Sequence, residues 1–351
     1  MRKRLTKLKI TQNIMPTIRD IAQKAGVSTA TVSHVINNTR YVSSEVSDRV
    51  LQAMKELGYQ PNDLARSLKL GKTNTLGLIL PDHSNPFFAE VSRIIESYAY
   101  LLGYSVIICN TENNADKELV YIKTLSQKKV DGIIFVAAGS DNRSIMYLQS
   151  LDLPIIIFDR EIPVLMEKPN ISFLVTDNYL GGVMATEYLI SLGHSRIGCI
   201  TGPSNLTPGA QRTNAFRDVL KKHDIPLHEN LIIKGNFDYP SGYECAQKLL
   251  SLPEPPTAIF ACNDMMAISA MRAIREHGLR IPEDISIIGF DGITLTAYQW
   301  PSLTTICQPF KEISETILEL FVNTTKSTPN SASRVVLQPA LILRESCKAI
   351  K

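Results

Sequence analysis

Ten residues of the 351-residue chain have the types and placement to act together on one small polar molecule. Asn85, Phe87, Phe88, Asp159, Arg160, Arg212, Phe237, Asn263, Asp291 and Gln308 all stand where an apolar run ends or the next amphipathic stretch begins. Carboxylates accept paired hydrogen bonds from vicinal hydroxyls, guanidinium groups donate in pairs, and amides do both. Phenylalanine rings cover C–H faces and exclude water. Phe, Asp, Arg and amide side chains in this mixture suit a sugar. Each residue alone also has a structural reading, with Phe87 or Phe88 as core and Arg212 in a surface ion pair.

A second set lies near the N-terminus, in "GVSTATVSHVIN", residues 26–37. Helical spacing puts Thr29, Ala30, Ser33 and His34 on an outer face and Val32, Val35 and Ile36 on an apolar one. A slim helix with such a face can enter the major groove. There hydroxyls and imidazole meet base edges, and Ala30 can touch a thymine methyl. The flanking residues position it. "TIRD" spaces Thr17 and Asp20 as a capping box. Ile18, Ile21, Ala22 and Ala25 follow helical spacing, Gly26 stops that helix, and Ser28 can cap the next. A third helix is predicted over about Ser44–Leu57, with Val46, Val50, Ala53, Met54 and Leu57 on one face and Gly58 as its stop. Helix, glycine-containing turn, helix is the grammar of a helix-turn-helix.

Charge divides the same way. Residues 1–72 hold 13 Lys or Arg against 5 Asp or Glu, a net +8, whereas the rest holds 24 against 29, a net −5. A basic head on a mildly acidic body implies a polyanionic partner for the head. No run of apolar residues is long enough to span a membrane, and no apolar segment follows the charged "MRKRLTKLKI" as a signal peptide requires. Six scattered cysteines without a C-x-x-C pair suit reduced, buried thiols, so the expected location is cytoplasmic. The sequence lacks G-x-S-x-G, H-E-x-x-H and G-x-x-x-x-G-K-[ST], and its six His show no metal spacing. An enzyme is therefore disfavoured, and neither cofactor nor metal is expected.

From residue 74 onward, strands and helices alternate. "TLGLILP", "YSVIICN", "VDGIIFVAA" and "PIIIFDR" read as buried parallel strands between amphipathic helices, and the series restarts near "FLVTDN". The fold class is α/β: two doubly wound lobes behind a helix-turn-helix head, with a ligand site at the strand carboxyl ends. The apolar stretches Phe87–Leu102 and Met266–Ile274 are candidate dimer surfaces or sheet-facing helices.

"TIRDIAQKAGVSTATVSHVINN" and "YQPNDLARSLKLGKTNTLGLILP" resemble the head, hinge and entry strand of the LacI/GalR family of bacterial repressors. That resemblance implies a basic extension at 1–15, a DNA-binding domain at 16–60, a hinge helix and linker at 61–73 and a periplasmic-binding-protein-like effector and dimerisation domain at 74–351. Lobe one would span about 74–175 and 308–337 and lobe two about 178–305 and 339–351, with crossings near Asp177, Cys307 and Gln338. It further implies DNA contacts from Thr17, Ser28, Thr29, Ala30, Ser33, His34 and Asn37. In the hinge, Leu68 would wedge into the minor groove, Ala65 would let two hinge helices pack, and Arg66 and Lys69 would reach phosphates. His34 departs from the Arg that many members use to read guanine.

"NPFF", "FDR", "QR", "NF", "ND", "GFD" and "CQP" resemble, in order, the binding elements of bacterial ribose-binding proteins, and other segments look like the ribose-operon branch of the repressor family. The expectation is a homodimeric, sequence-specific repressor of a sugar-utilisation operon that binds double-stranded operator DNA. Ribose would bind between the lobes as inducer, and no membrane would take part. A periplasmic-type sugar receptor with a vestigial head stays open as an alternative. So does the same repressor with another pentose, a hexose or a purine as effector.

Overall fold

Thr17 opens the fold as a helix cap. The computed structural model of the chain describes residues 16–59, 71–137, 142–326 and 333–350. The extension at 1–15 and most of the hinge, with Ala65, Arg66, Leu68 and Lys69, lie outside the described residues. The chain divides between Thr73 and Asn74 into two compact units.

In the first unit, Thr17 precedes α1 (Ile18–Ala25). Its N–H and hydroxyl both donate to Asp20 Oδ2 at 2.7 Å, and Asp20 N–H donates to Thr17 Oγ1 at 3.4 Å. These bonds satisfy donors that a first helical turn otherwise leaves open. Gly26 ends α1 at φ +64°, a left-handed conformation that costs glycine little. Ser28 caps α2 (Thr29–Asn37) by accepting from Thr31 N–H at 3.1 Å. α3 (Ser44–Leu57) ends at Gly58, again left-handed. Ile21, Ala22, Ala25, Val32, Val50 and Ala53 form the core that makes these short helices stable together.

The second unit begins with β1 (Thr75–Leu80), α4 (Pro86–Leu101), β2 (Ser105–Asn110), α5 (Ala115–Gln127), β3 (Gly132–Phe135), α6 (Asn142–Gln149), β4 (Ile155–Phe158) and β5 (Ile171–Thr176). The chain then crosses at Asp177 and repeats the plan. α7 (Asn178–Ser191), β6 (Ile197–Thr201), α8 (Thr207–Lys222), β7 (Ile232–Lys234), α9 (Tyr239–Leu250), β8 (Ala258–Ala261), α10 (Asp264–Glu276), β9 (Ser286–Asp291) and β10 (Thr304–Cys307) build the second lobe. It crosses back at Gln308-Pro309 into α11 (Phe310–Lys326) and β11 (Arg334–Leu337), and once more at Gln338-Pro339 into β12 (Ala340–Ile342). Strand order is β11-β5-β4-β3-β1-β2 in one sheet and β12-β10-β9-β8-β6-β7 in the other. All pairs are parallel except β10 with β12. In each lobe the chain winds first to one side of its opening strand and then to the other. That reversal leaves a crevice at the carboxyl ends beside β1 and β6.

Burial explains the apolar runs. "GIIF", "IIIF" and "AIFA" are covered on both faces, so no polar residue alternates with the apolar ones. Met266, Met271 and Ile274 are fully buried within their own lobe, so this face of the Met266–Ile274 stretch is sheet-facing. α4 likewise buries Phe87, Phe88, Val91 and Ile95, leaving exposed apolar residues only at its end, Tyr100 to Leu102. Among the described residues no helix is long and apolar enough to cross a membrane.

α9 and α10 approach most closely at Gly242, where a Cβ would lie 2.6 Å from the Met266 carbonyl oxygen. Backbone cannot yield as a flexible side chain can. Gly242→Ala should destabilise the second lobe by about 1–3 kcal/mol, read as a lower thermal unfolding midpoint.

Candidate functional site

A cavity of about 300 Å³ lies between the two lobes, and all ten residues of the sugar-type set line it. The first lobe supplies five. Asn85 caps α4, its Oδ1 accepting from Phe87 N–H at 3.0 Å, and Pro86 holds the first helical position. Phe87 and Phe88 then stand in the first turn, edge to face with centroids 5.2 Å apart, and Phe87 also packs on Phe158 and Phe310. Both rings are therefore core and cavity wall at once. The end of β4 delivers Asp159 and Arg160. Arg160 Nη1 donates to the Ala137 carbonyl, and its Nε lies 3.7 Å from Asp159 Oδ2 without a hydrogen-bond partner among the described residues.

The second lobe supplies Arg212, Phe237, Asn263 and Asp291, and the second crossing supplies Gln308. Arg212 stands on α8 with its guanidinium over the Phe290 ring, 3.6 Å from the centroid. Its Nη1 donates to the Cys262 carbonyl at 2.6 Å and to Asp291 Oδ1 at 3.3 Å, and its Nε donates to Asn178 Oδ1 at 2.9 Å. Gln308 Nε2 donates to the same Asp291 oxygen at 2.9 Å. Asn263 caps α10 through Oδ1 and donates from Nδ2 to the Phe237 carbonyl at 3.0 Å. Arg212 is thus a buried ion pair, not a surface one.

Burial governs the electrostatics. It pushes the Asp291 carboxyl up to about 6 against the Arg212 cation and the Gln308 amide, with Asp159 adding to the rise. It also raises Asp159, opposed by Arg160 and Arg212, and lowers Arg160, opposed by Asp159 and Glu118. Four of the cavity residues hold positive-φ backbone: Asn113 at +55°, Asp159 at +67°, Phe237 at +62° and Asp291 at +118°. Such conformations cost a non-glycine residue about 1–3 kcal/mol and concentrate at ligand clamps. The arrangement offers acidic acceptors, cationic donors and apolar faces in one enclosed space.

Some residues escaped the sequence reading. Asp82, Asn113, Asn205, Asn236 and Asp238 also line the cavity, each in a loop after a strand, where the strand-end rule would have found them. Thr176 and Asn178 do not line this cavity but hold Gln308 and Arg212.

In the head, Thr17, Ser28, Thr29 and Ala30 are exposed, and Ser33, His34 and Asn37 are half-buried. The hydroxyls of Thr17 and Ser28 serve as caps. His34 Nδ1 pairs with Thr39 Oγ1 at 2.9 Å, which leaves Nε2 as the ring's other polar atom. Asn37 Nδ2 donates to the Ser33 carbonyl at 2.8 Å and more weakly to its hydroxyl. α2 therefore presents small and polar groups outward while Val32, Val35 and Ile36 join the core.

Removing Arg212 leaves the Asp291 carboxylate buried without its cation. Arg212→Met should destabilise the protein by about 3–5 kcal/mol near pH 8. Because the folded carboxyl already titrates above its ordinary value, the native state holds this proton more tightly than the unfolded chain. The wild-type group therefore costs stability as pH rises from about 4 through 6. The variant raises the carboxyl further, so its deficit should shrink as pH falls toward about 5, measured by denaturant unfolding across pH.

Comparison with known proteins places these features. The profile of the bacterial regulatory proteins of the lacI family matches residues 17–62, and that of the periplasmic binding protein-like domain matches residues 186–347. The HTH-type transcriptional repressor PurR of Photobacterium profundum is 38% identical over 335 residues, covering 95% of this chain and 99% of its own. The lac repressor dimer bound to operator and the anti-inducer ONPF superposes with TM-score 0.82 at 26% identity, over 95% of this chain and 99% of its own. A LacI family regulator from Enterococcus faecium with bound ribose does so with TM-score 0.70 at 29% identity, over 79% of this chain and 100% of its own. With a capped helix-turn-helix ahead of two doubly wound lobes, the chain belongs to the LacI family and is a DNA-binding transcriptional repressor rather than an enzyme.

Proposed function

We propose that the protein is a homodimeric repressor of a sugar-utilisation operon whose DNA affinity is set by ribose, bound in the interlobe cavity as inducer. The observation that carries this reading is the convergence of the ten side chains on one cavity of about 300 Å³. That volume is at the small end for ligand sites and suits a monosaccharide. Asp159 and Asp291 can accept from vicinal hydroxyls, Arg160 and Arg212 can donate to them, and the three Phe rings can cover C–H faces. The ribose-bound Enterococcus regulator is a relative in keeping with this reading.

In this reading α2 enters the major groove, with Thr29, Ala30, Ser33, His34 and Asn37 near base edges and Thr17 and Ser28 near phosphates. Residues 61–73 supply the hinge helix and linker, with Leu68 as wedge, Ala65 at the helix contact and Arg66 and Lys69 reaching phosphates or the groove floor. A two-fold dimer brings two heads to two half-sites. Such a protein works in the cytoplasm. Ribose touches both lobes and so favours the closed cleft, since a ligand shifts an equilibrium only through differential contact.

A purine effector is the second reading. The Phe87, Phe88 and Phe237 rings offer faces to a base, and the similar repressors of Aliivibrio salmonicida and Photobacterium profundum carry the name PurR.

A thermal-shift screen of sugars and purine bases tests the choice. Ribose at about a hundred times its Kd should stabilise the protein by about 2.7 kcal/mol, and Asp291→Asn should lose that shift. A shift with purine bases and none with ribose would sink the sugar reading. Ribose should also weaken binding to a selected operator duplex by roughly 5–150-fold. Tighter binding would make it a corepressor.

The sugar affinity should depend on pH. Hydroxyls donate to the ionised Asp291, so binding favours loss of its proton. Affinity should be level above about pH 7 and fall as pH drops through about 6, by up to about tenfold per unit, measured by calorimetric titration.

A further inference from the structure

Two side chains that do not line the interlobe cavity complete the surroundings of the buried carboxylate. Thr176 Oγ1, at the end of β5, donates to Gln308 Oε1 at 2.7 Å. This orients the amide so that Nε2 donates to Asp291 Oδ1 at 2.9 Å. Arg212 Nη1 reaches the same oxygen at 3.3 Å while its Nε donates to Asn178 Oδ1 at 2.9 Å. Asn178 Nδ2 then donates to the Thr176 carbonyl at 3.0 Å. The five residues form a closed ring, and each is at least nine-tenths buried. Thr176 and Asn178 flank the first chain crossing, and Gln308 sits on the second.

We infer that Thr176 and Asn178 are positioning residues for the effector cavity: the ring holds Arg212 and Gln308 on Asp291 and joins that carboxylate to two of the three chain crossings. This rests on the reading of the cavity as the effector site. A buried polar network is stable when every member is paired, and one broken bond strands its neighbours. The route from Asp291 runs outward in two directions, through Gln308 to Thr176 and through Arg212 to Asn178, and both arrive at the first crossing. A ligand hydroxyl that draws on Asp291 therefore alters the bonds that fix where the chain passes between lobes.

Hydrogen exchange on the full-length, ligand-free protein tests the ring without any effector. The Asp177 amide donates to the Leu337 carbonyl at 2.8 Å and the Gln308 amide to the Asp291 carbonyl at 2.9 Å, one reporter at each crossing. Thr176→Val keeps the shape and removes the hydroxyl. It should raise exchange at both amides by roughly fivefold or more, and Thr176→Ser should restore both. A change confined to Asp177 would mean a local structural role and overturn the inference. Asn178→Ser opens the ring at another point and should produce the same two-site pattern. In calorimetric titration with ribose, Thr176→Val should bind about tenfold more weakly and Thr176→Ser within about twofold of wild type. Wild-type protein that ignores ribose while exchange still spreads to Gln308 would sink the sugar reading and leave the ring standing. Wild-type affinity in Thr176→Val, with Gln308 exchange unchanged, would sink the ring.

Discussion

The constraint on which the site depends is the burial of two carboxylates and two guanidinium groups between the lobes. Ions of this kind are tolerated inside a protein only when paired and hydrogen-bonded. Arg212 meets that requirement four ways: through Asp291, the Cys262 carbonyl, Asn178 and the face of Phe290. Arg160 meets it less completely, since its Nε, beside Asp159, is unpartnered among the described residues. The second lobe's half of the cavity is thus internally neutralised, whereas the first lobe's half keeps unused capacity.

The fold makes this concentration of charge affordable by repetition. Each lobe winds the same strand order around its own opening strand, β1 or β6, so two crevices face each other. Residues far apart in the chain are delivered by equivalent structural events. Asn85 and Asn263 both cap helices that leave a strand end, and Asp159 just after β4 and Asp291 at the end of β9 both have positive φ. The left-handed turns aim side chains that an extended continuation would send elsewhere, and the tightly packed sheets beneath them absorb the cost.

Much of this was readable from residue type and spacing, because the signals are local. Thr17 with Asp20, Gly26 and Ser28 mark helix ends within a few residues, and the runs "IIIF" and "AIFA" declare strands covered on both faces. The ten cavity residues stood out through their resemblance to the elements of ribose-binding proteins, and most of them lie at strand ends or helix starts, where doubly wound sheets put ligands. What stayed hidden depends on distant partners. Periodicity showed that Met266–Ile274 needed a cover but not that its own lobe provides it. Thr176 and Asn178 look like ordinary strand-end and helix-start residues. Their roles appear only when the crossing at Gln308, more than a hundred positions away, folds beside them.

The three crossings have a mechanical consequence. They gather at one edge of each sheet, because β5 neighbours β11 and β10 neighbours β12. Several covalent ties placed side by side behave as a door hinge, not a ball joint: bending about their common line is soft, while twisting and sliding are stiff. In the proposed effector response, these ties steer the lobes along nearly the same path whatever molecule fills the cavity. Sensing and transmission are in that respect separable parts. The cavity wall could be rewritten for a new molecule by a handful of substitutions while the movement it sets off stays the same, which gives one architecture many vocabularies and a single gesture.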